Sequence, residues 1–586
     1  MDNFEVKKSY DFSSEENNPK SPAFGIDLGT TNSCISVVDN AGIPHIIPLG
    51  EDKDVTLPSC VMWDGETDTF IVGKEAYEKR NQSNVCYSVK RLMGTDKLVR
   101  FVDKDKVITR TPAEVSSLIL KELVNKISNT YKEVKDVVIT VPAEFNNKQI
   151  EDTKKAGELA GLNVLNIMRE PTAASLAYKV DHNSGNILVY DLGGGTFDVS
   201  IVSVKNEECT EIDTDLFDIL GIEDTKSKAI IQVKGTRGDT HLGGDDLDLE
   251  VLNIIKGRLE DRGVNIDKEH SYLKQDLILR IEKYKKMFCS DLKSITKIDL
   301  NVKVRRETKP PFKEKTEEIF IPLYSEDFQK ATVTIFNKTV KFLDDLLSQS
   351  KLRIDVVELV GGSTKNEYLR LLLRERYKDS RIETHLNPDE AVALGAAIQA
   401  KRLKFGSDDL DVFDVTASAF GIEVEDGRVI PLIEKNQSIP FSFSKDFITT
   451  YDDQEVMSIR IYEGQKIYAK QNTYLGDIVI RDLPKKPAGE VSCKVILSID
   501  SNGLLVCKVV QDGKEYSKPL INVLGAKVVE NNPTYLVMYD KWERFANSLE
   551  NKEQRDKLNQ LIVDAKTKPD CVKNVIDYIR AIKNNV

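Results

Sequence analysis

The stretch Tyr190-Asp-Leu-Gly-Gly-Gly-Thr-Phe-Asp198 decides the fold, because it places a glycine-rich turn between two strands. The same arrangement occurs earlier in the chain as Gly25-Ile-Asp-Leu-Gly-Thr-Thr-Asn-Ser33. Taken alone, an Asp-x-Gly-Thr turn is most often the tip of an ordinary hairpin. Its recurrence predicts two similar lobes that grip one polyphosphate between them.

The residues of the earlier turn suit that chemistry. Gly29 is predicted to take a positive φ and to let the backbone approach a ligand, while Thr30, Thr31 and exposed amides can donate hydrogen bonds to phosphate oxygens. Asp27 would repel phosphate, so its predicted role is to hold a hydrated Mg²⁺ between itself and the phosphates. The sequence contains no GxxxxGK[ST] segment, which argues against the P-loop mode of phosphate binding.

A third glycine-rich turn, Leu359-Val-Gly-Gly-Ser-Thr364, follows another predicted strand. This turn can receive a nucleoside at the start of the helix that comes after it. Ligands of open α/β sheets usually lie at such strand ends. The three turns together predict one nucleotide site.

The periodicity of the apolar residues changes twice along the chain. Between residues 23 and 405 short β-branched strands alternate with helical stretches, which predicts an α/β nucleotide-binding domain. Strands dominate over 416–525, where apolar residues recur at every second position, as in a half-buried β-sandwich. Near-helical spacing over 526–586 predicts a short helical module. Residues 1–22 are predicted to form a disordered tail, and 406–415 a linker.

Composition excludes several classes of protein. The 586 residues include 83 Lys and Arg against 95 Asp and Glu, a net charge of −12, so no global basic field exists to hold nucleic acid. The eight cysteines form no CxxC pair, so a reducing compartment is expected. No apolar run approaches the ~18 residues of a membrane span, and we expect a soluble cytoplasmic protein. The acidic segment between Glu207 and Asp224 is interpreted as a decorated hairpin rather than a docking segment.

Seven segments of the chain resemble, in order, those of the seventy-kilodalton heat-shock (DnaK-type) chaperones. They are GIDLGTTNS (25–33), VITVPAEF (138–145), REPTAASLAY (169–178), YDLGGGTFD (190–198), GDTHLGGDD (238–246), LVGGST (359–364) and NPDEAVALGAA (387–397). The resemblance covers about residues 23 to 525. It implies an actin-like two-lobed ATPase domain, a hydrophobic linker, a β-sandwich that binds extended peptides, and a helical lid. It also implies ATP, Mg²⁺ and K⁺.

The matching motifs imply roles for individual residues. Lys90 resembles the lysine that orients the attacking water and the γ-phosphate, and Glu170 resembles the acid that positions water and metal. The remaining catalytic residues are expected to be Asp191, Asp198 and Thr196, with the metal held near Asp27, Asp191 and Asp198. Which carboxylate takes the proton of the water stays open. The nucleotide-binding residues implied are Gly29, Thr30, Thr31, Asn32, Gly193, Gly194, Gly195, Gly243, Gly244, Glu282, Lys285, Lys286, Cys289, Gly361, Gly362, Ser363 and Lys365.

The nucleoside end of the predicted site departs from the family pattern. The family usually holds adenine between a lysine or arginine stem and an arginine, whereas this chain offers Lys286 and Lys365. An ammonium lacks the planar stacking surface of a guanidinium. Cys289 stands where a nucleoside-binding serine is expected, which exchanges a good hydrogen-bonding hydroxyl for a weak thiol. We therefore predict a weakened affinity for ATP.

The residues that would connect the two large domains are also altered. Pro142 is present, but Ile150 occupies the position of an arginine that links this proline to the peptide domain. Asn166 replaces an arginine associated with the docking of J-domain proteins. The linker residues Leu410, Asp411, Val412, Phe413 and Asp414 include a charge within a normally hydrophobic run, and its burial is costly unless it is paired. Weak stimulation by peptides and J-domain proteins is the expected result.

The peptide-binding residues implied are Glu425, Phe447, Thr450, Met457 and Ile459. Phe447, Met457 and Ile459 would form an apolar pocket for a Leu-like side chain of an extended peptide. Glu425 replaces an apolar residue, and it either faces solvent or favours peptides with a nearby Lys or Arg. The lid is predicted to be about half the usual length.

The sequence predicts an ATP-dependent chaperone for extended client polypeptides, with slow ATPase activity. A J-domain protein and a nucleotide exchange factor are the expected partners, and a monomer is the expected state. One alternative is a co-chaperone or exchange factor of the same ancestry that scarcely hydrolyses ATP. A remoter alternative, an actin-like kinase or filament protein, would leave the β-sandwich unexplained.

Overall fold

The computed structural model describes residues 21–179, 185–208, 227–266, 271–290, 296–307, 314–383, 387–406, 410–500, 503–519, 546, 551–567 and 578. The predicted disordered tail, apart from its last two residues, lies outside this set. Most of the acidic segment between Glu207 and Asp224 and most of the predicted helical module over 526–586 also lie outside it.

The first lobe carries the earlier glycine-rich turn. Its elements are β1 (Phe24–Asp27), β2 (Asn32–Val38), β3 (Pro44–Ile46), β4 (Leu57–Pro58), β5 (Cys60–Asp64), β6 (Thr69–Val72), α1 (Lys74–Glu78), β7 (Val85–Tyr87), β8 (Val99–Asp103), β9 (Lys106–Arg110), α2 (Pro112–Ile127), β10 (Asp136–Val141), α3 (Asn147–Leu159), β11 (Asn163–Arg169) and α4 (Glu170–Lys179). The main sheet has the strand order β11-β10-β1-β2-β3, with β4 paired to β2. β1 is antiparallel to β2 and parallel to β10, so the turn after Asp27 lies at the carboxyl edge of the sheet.

The second lobe carries the two later turns. Its elements are β12 (Gly185–Leu192), β13 (Phe197–Glu208), β14 (Ser227–Asp239), α5 (Gly244–Glu260), α6 (Ser271–Ser290), β15 (Lys297–Glu307), β16 (Glu314–Tyr324), α7 (Ser325–Ser350), β17 (Val356–Val360), α8 (Glu367–Arg376), β18 (Arg381–Glu383) and α9 (Ala391–Phe405). β12 is antiparallel to β13 and parallel to β17, which repeats the pairing of β1 with β2 and β10. The predicted duplication is therefore visible in the two sheets.

Helix α9 joins the two lobes. It lies against α4 and β1, and its small residues allow the close approach. A Cβ atom on Gly395 would overlap the backbone of Ala173, and one on Gly25 would overlap the backbone of Ala397. The alanine and glycine spacing of the NPDEAVALGAA segment thus matches a tightly packed helix.

The β-sandwich consists of two four-stranded sheets, with the orders β21-β20-β24-β25 and β23-β26-β27-β28. The elements after α9 are β19 (Leu410–Val415), β20 (Phe420–Glu423), β21 (Val429–Ile433), β22 (Ser438–Ile439), β23 (Phe441–Ile448), β24 (Met457–Glu463), β25 (Thr473–Ile480), β26 (Ser492–Ile499), β27 (Leu505–Gln511), β28 (Lys514–Pro519) and α10 (Lys552–Thr567). Cys493, Val495 and Leu497, at the predicted period of two, are completely buried between the sheets. Burial of such a side chain contributes roughly 1.5–3 kcal/mol.

The predicted linker is part of a sheet. β19 pairs in parallel with β14 of the second lobe and in antiparallel with β22 of the sandwich segment. The seven-stranded sheet accordingly has the order β18-β17-β12-β13-β14-β19-β22. The sandwich is docked on the lobes, since β19 extends the sheet of the second lobe directly into the next domain. None of the described helices is long and apolar enough to cross a bilayer.

Candidate functional site

A cavity of about 440 Å³ lies where the three glycine-rich turns meet. Its volume falls within the range of small-molecule sites in proteins, roughly 300–1,000 Å³. Most of the residues predicted to bind the nucleotide or to act in catalysis line this cavity. They are Asp27, Gly29, Thr30, Thr31, Asn32, Lys90, Glu170, Asp191, Gly193, Gly194, Thr196, Glu282, Lys285, Lys286, Cys289, Gly361, Gly362, Ser363 and Lys365.

Four predicted residues are not among the residues that line the cavity: Asp198, Gly195, Gly243 and Gly244. Asp198 is the register partner of Asp191 on the hairpin β12–β13. A Cβ atom on Gly243 would lie 2.6 Å from the carbonyl carbon of Gly194, and one on Gly244 would lie 2.5 Å from Ser363 Oγ. These glycines therefore let the start of α5 pack directly on the second and third turns.

The prediction that Gly29 takes a positive φ is wrong, because Gly29 is not among the described glycines with positive φ. Glycine is required at position 29 for another reason: a Cβ atom there would overlap the carbonyl oxygen of Asn32. In the third turn, Gly361 does have a φ of +82°, which favours glycine. Close backbone approach shapes the first turn, and a left-handed residue shapes the third.

Lys90 and Glu170 form a buried ion pair in the wall of the cavity. Lys90 lies on the 3-10 turn Val89–Leu92, and Glu170 is the first residue of α4. Lys90 Nζ donates a hydrogen bond to Glu170 Oε1 at 2.5 Å, and the side chains are 6% and 9% exposed. Burial alone would lower the pKa of Lys90, but the carboxylates of Glu170 and Asp27 outweigh it and raise that pKa. Lys90 is therefore a charged ammonium at neutral pH.

Three aspartates gather beside this pair. Burial and the carboxylate of Glu170 raise the pKa of Asp27 to about 7, although Thr140 Oγ1 donates a hydrogen bond to it at 3.1 Å. Burial and Glu170 likewise raise the pKa values of Asp191 and Asp198 well above their usual range. Ionised together, these aspartates and Glu170 would carry more negative charge than Lys90 can neutralise, so a bound cation would stabilise their charged forms.

The donor set suits a hydrated cation. Asp198 Oδ1 is buried and has no hydrogen-bond partner among the described residues. In the described part of the chain no three carboxylate, histidine or cysteine side chains stand close enough together to ligate a metal directly. Mg²⁺ usually keeps several of its waters and is held through one or two carboxylates together with phosphates. The residues present therefore fit Mg²⁺ bound largely through its water shell.

The end of the cavity that was predicted to hold the nucleoside is rich in charge. Glu282 accepts hydrogen bonds from Tyr77 and Arg80 of the first lobe, and Lys286 Nζ lies 2.8 Å from Glu282 Oε1. Burial would raise the pKa of Glu282, but Lys286, Tyr77 and Arg80 outweigh it and lower that pKa to about 2. Lys285 donates to Asp248 Oδ2 at 2.7 Å. Glu282 thus joins the two lobes across the cleft.

The two departures from the family pattern at this end, Lys365 and Cys289, both line the cavity. Lys365 pairs with Asp389 at 2.5 Å, with its side chain 47% exposed. The thiol of Cys289 is buried, and burial raises its pKa to about 12. A neutral thiol and an exposed ammonium therefore stand at the two positions where stronger nucleoside contacts were expected.

Further residues of the cavity wall were not identified from the sequence. They include Asp245, Leu247, Asn366, Asp389 and Val392. Asp245 and Asp389 belong to the segments GDTHLGGDD and NPDEAVALGAA, which had already been recognised as motifs. Tyr77 and Arg80 lie outside those motifs, and no local pattern marks them.

The predicted peptide-binding residues lie in the β-sandwich. Met457 and Ile459, 6% and 2% exposed, belong to its core, and Phe447 packs partly buried against the same core. Glu425 is exposed, which is compatible with both of its interpretations. Thr450 is exposed, and its backbone N–H donates to Gln454 Oε1 at 2.9 Å. The three apolar residues therefore pack in or against the core of the sandwich, whereas Glu425 and Thr450 lie on its surface.

The contact between the domains contains its own charge cluster. The Asp414 side chain is 14% exposed, and Arg169 Nε lies 3.6 Å from Asp414 Oδ1. Thr172 Oγ1 donates to Asp414 Oδ2 at 3.0 Å. Burial raises the pKa of Asp414, while Arg169 opposes that rise. The charge of Asp414 in the linker is therefore largely buried and paired.

Apolar and backbone contacts complete this interface. Ile150, 2% exposed, faces Gly503 of the sandwich, where a Cβ atom would lie 3.4 Å from Ile150 Cδ1. Leu505 N donates to Asn147 Oδ1 at 3.2 Å, across the same interface. Pro142 is buried beside it, and Asn166 is buried on β11. Of the linker, Val412 is half-buried and Phe413 is 37% exposed.

Comparison with known proteins agrees with this architecture. The family model described as Hsp70 protein matches residues 23–581. The chaperone protein DnaK of Mycoplasmoides gallisepticum is 31% identical over 572 residues, which cover 95% of this chain and 88% of the relative. The chaperone protein DnaK of Thermosipho africanus is 36% identical over 520 residues, which cover 85% and 80% of the two chains. On these grounds, and with the same glycine-rich hairpin in each of its two lobes, the chain belongs to the Hsp70 family.

Proposed function

We propose that this chain is an ATP-dependent chaperone that hydrolyses ATP in the cavity between its lobes and binds extended apolar segments of client polypeptides with its β-sandwich. The observation that carries the proposal is the buried pair of Lys90 and Glu170, which lies among Asp27 and Asp191 where the phosphate-binding turns meet. A buried, charged lysine can bind a polyphosphate, and the carboxylates around it can bind a cation.

Phosphoryl transfer depends mainly on positioning and electrostatic stabilisation. In the proposed mechanism, the amides of the two aspartate-containing turns and the hydroxyls of Thr30, Thr31 and Thr196 bind the phosphate oxygens. The ammonium of Lys90 faces the γ-phosphate and stabilises the charge that spreads over its oxygens. Glu170 holds Lys90 in place and accepts a hydrogen bond from the attacking water.

Mg²⁺ would be held by Asp27, Asp191 and Asp198 through its waters, and when bound it neutralises charge on the phosphates. The unpartnered Asp198 Oδ1 supports this assignment. K⁺ is an additional ion that the family resemblance implies. ATP itself would span the cavity, with its base and sugar near Lys285, Lys286, Cys289 and the third turn.

The docked arrangement suggests how the two sites affect each other. Strand β19 pairs with β14, and Asp414 contacts Arg169, which immediately precedes Glu170 of the nucleotide site. A change at the nucleotide would therefore bear on the contact that holds the sandwich. Because coupling is reciprocal, client binding is expected to alter ATP hydrolysis.

The cell context follows from the same features. Several buried cysteines carry free thiols, which fits a reducing compartment such as the cytoplasm. They include Cys34, Cys60, Cys289, Cys493 and Cys507. A J-domain protein and an exchange factor are the proposed partners, with a monomer as the working state. The comparisons lend no support to the alternatives of a non-hydrolysing co-chaperone or an actin-like kinase.

Single-turnover ATP hydrolysis by the full chain, with Mg²⁺ and K⁺, tests the proposal. An extended leucine-rich peptide is expected to accelerate hydrolysis at least about fivefold, a typical coupling between two sites. A peptide of equal length with its leucines replaced by serine is the matched control. Nucleotide binding without hydrolysis would favour the co-chaperone alternative, and hydrolysis that neither peptide changes would contradict the coupling.

Cys289→Ser is expected to lower the dissociation constant for ATP by about 2- to 10-fold, because a hydroxyl forms a better hydrogen bond than a thiol, by about 0.5–1.5 kcal/mol. Isothermal titration calorimetry of the full chain measures this change. Cys289→Ala is the control, since it removes the thiol without adding a hydroxyl and is expected to bring no gain. A submicromolar dissociation constant for the unaltered chain would show that the predicted weak affinity is wrong.

A further inference from the structure

Arg91 connects the two lobes directly beside Lys90. Both residues belong to the 3-10 turn Val89–Leu92 of the first lobe. Arg91 Nη2 lies 3.2 Å from Asp246 Oδ2 and 3.8 Å from Asp245 Oδ2, both in the first turn of α5 in the second lobe. Within this turn, Lys90 thus pairs with Glu170 of the same lobe, and Arg91 pairs with carboxylates of the other lobe.

The guanidinium of Arg91 also lies against the second phosphate-binding turn. A Cβ atom on Gly195 would overlap Arg91 Nε, and it would lie 2.7 Å from the methyl group of Thr30. Arg91 Nε is buried and has no hydrogen-bond partner among the described residues. A flat guanidinium can pack on a backbone in this way, whereas the tetrahedral ammonium of a lysine cannot. Gly195 is therefore held between Arg91 and the first turn.

The start of α5 is fixed to the same turn by its backbone. Gly244 N donates to the carbonyl of Gly193 at 2.9 Å, and Asp245 N donates to that of Gly194 at 2.8 Å. Asp246 Oδ2, which contacts Arg91, also accepts a hydrogen bond from Gly243 N at 2.8 Å. The second turn, the start of α5 and Arg91 therefore form one packed unit, and a displacement of this unit would shift the turn that carries Lys90.

We propose that Arg91 is a positioning residue for ATP hydrolysis, which fixes the Lys90 turn against the second phosphate-binding turn. Arg91 is absent from the described residues that line the nucleotide cavity, so it acts through Lys90 and Gly195. This inference rests on the proposed ATPase function. It extends that function by assigning a role to the contact between the lobes on the phosphate side of the cleft.

Single-turnover hydrolysis and ATP affinity of Arg91→Ala and Arg91→Lys in the full chain test this role. The rate constant of Arg91→Ala is expected to fall roughly 10- to 100-fold, as for a displacement of about 1 Å at a catalytic group, while the ATP dissociation constant changes less than about threefold. Arg91→Lys keeps the positive charge near Asp245 and Asp246 but cannot pack on Gly195, so its rate is expected to stay close to that of Arg91→Ala.

Two further measurements distinguish positioning from a structural defect. Millimolar guanidinium ion is expected to restore part of the rate of Arg91→Ala, whereas tetramethylammonium at the same ionic strength is not. The double variant Lys90→Ala with Arg91→Ala is expected to be no slower than Lys90→Ala alone, because both act through one group. Arg100→Ala, at an exposed arginine on β8 of the same lobe, is the matched control and should hydrolyse ATP like the unaltered chain.

The possible failures are distinguishable. If Arg91→Ala hydrolyses ATP at the parent rate, or loses activity only through weaker ATP binding, the role of Arg91 is wrong and the proposed function stands. Loss of rate without guanidinium rescue and with a lowered melting temperature would also overturn the positioning role. If the unaltered chain shows no turnover that depends on Lys90, the proposed function fails, and the role of Arg91 fails with it.

Discussion

Lys90→Ala is expected to lower the single-turnover rate of ATP hydrolysis roughly 100- to 1,000-fold while leaving ATP binding largely intact. The reason is electrostatic. In a site that excludes water, removal of one preorganised group that faces the charge developing in the transition state lowers the rate by about 100- to 1,000-fold. Lys90 is 6% exposed on its side chain, so water cannot readily replace its ammonium. Rapid mixing of the full chain with labelled ATP under single-turnover conditions gives the rate, and calorimetry gives the affinity.

The matched control for this variant is Lys97→Ala, at an exposed lysine that follows the same 3-10 turn. That change is expected to leave both the rate and the affinity unaltered. Lys90→Ala also leaves Glu170 buried without its cation, so a thermal melt should accompany the kinetics. A Lys90→Ala variant that hydrolyses ATP within about threefold of the parent rate would refute the role of Lys90 and the electrostatic argument behind it.

Arg169→Ala is expected to weaken the docking of the β-sandwich on the nucleotide-binding lobes by about 3 kcal/mol, roughly a hundredfold in the docking equilibrium. Arg169 is the cation beside Asp414, and its removal leaves that carboxylate at the interface without a counter-charge. Arg169 also donates a hydrogen bond to the carbonyl of Ala143, whose N–H donates to Asp198 of the proposed nucleotide site at 3.2 Å. The measurement is the distance between fluorescent labels on the two domains, together with the effect of peptide on hydrolysis.

A second variant isolates the charge at the interface. Adding Asp414→Asn to Arg169→Ala removes the unpaired carboxylate while keeping an oxygen for Thr172, so the double variant is expected to dock better than Arg169→Ala alone. Arg428→Ala is the matched control, because its pair with Asp426 on the sandwich is 60% and 52% exposed and contributes little. Equal docking of Arg169→Ala and the parent chain would show that this pair does not hold the domains together.

Much of the architecture could be predicted from local patterns. The alternation from Val491 to Ile499 predicted a half-buried strand, and these positions are buried in the sandwich core. The repeated Asp-x-Gly turns predicted two similar lobes, and the hairpins β1–β2 and β12–β13 show the repeat. Such patterns suffice because burial and turn conformation depend on residues close together in sequence.

Other features could not be predicted in this way. Gly29 was expected to need a positive φ, yet the structure shows that its constraint is the nearby carbonyl of Asn32. The linker charge was expected to need a partner if it is buried, but no pattern indicated which one: Asp414 lies beside Arg169 and accepts a hydrogen bond from Thr172. Whether a polar residue in a short strand faces a neighbour or solvent depends on the register of that strand, which a pattern of six residues leaves open.

The sequence by itself determined the positions of the three glycine-rich turns and the family resemblance, and it predicted the order of the domains, because each depends on short segments whose chemistry is local. Only the tertiary structure decided which groups meet: Lys90 and Glu170 are 80 positions apart, and Arg91 reaches α5 of the other lobe. Such pairs depend on how lobes pack against each other, and packing is the sum of many small contacts that no single segment encodes. The positions of charges across the cleft and across the linker are therefore properties of the folded chain alone.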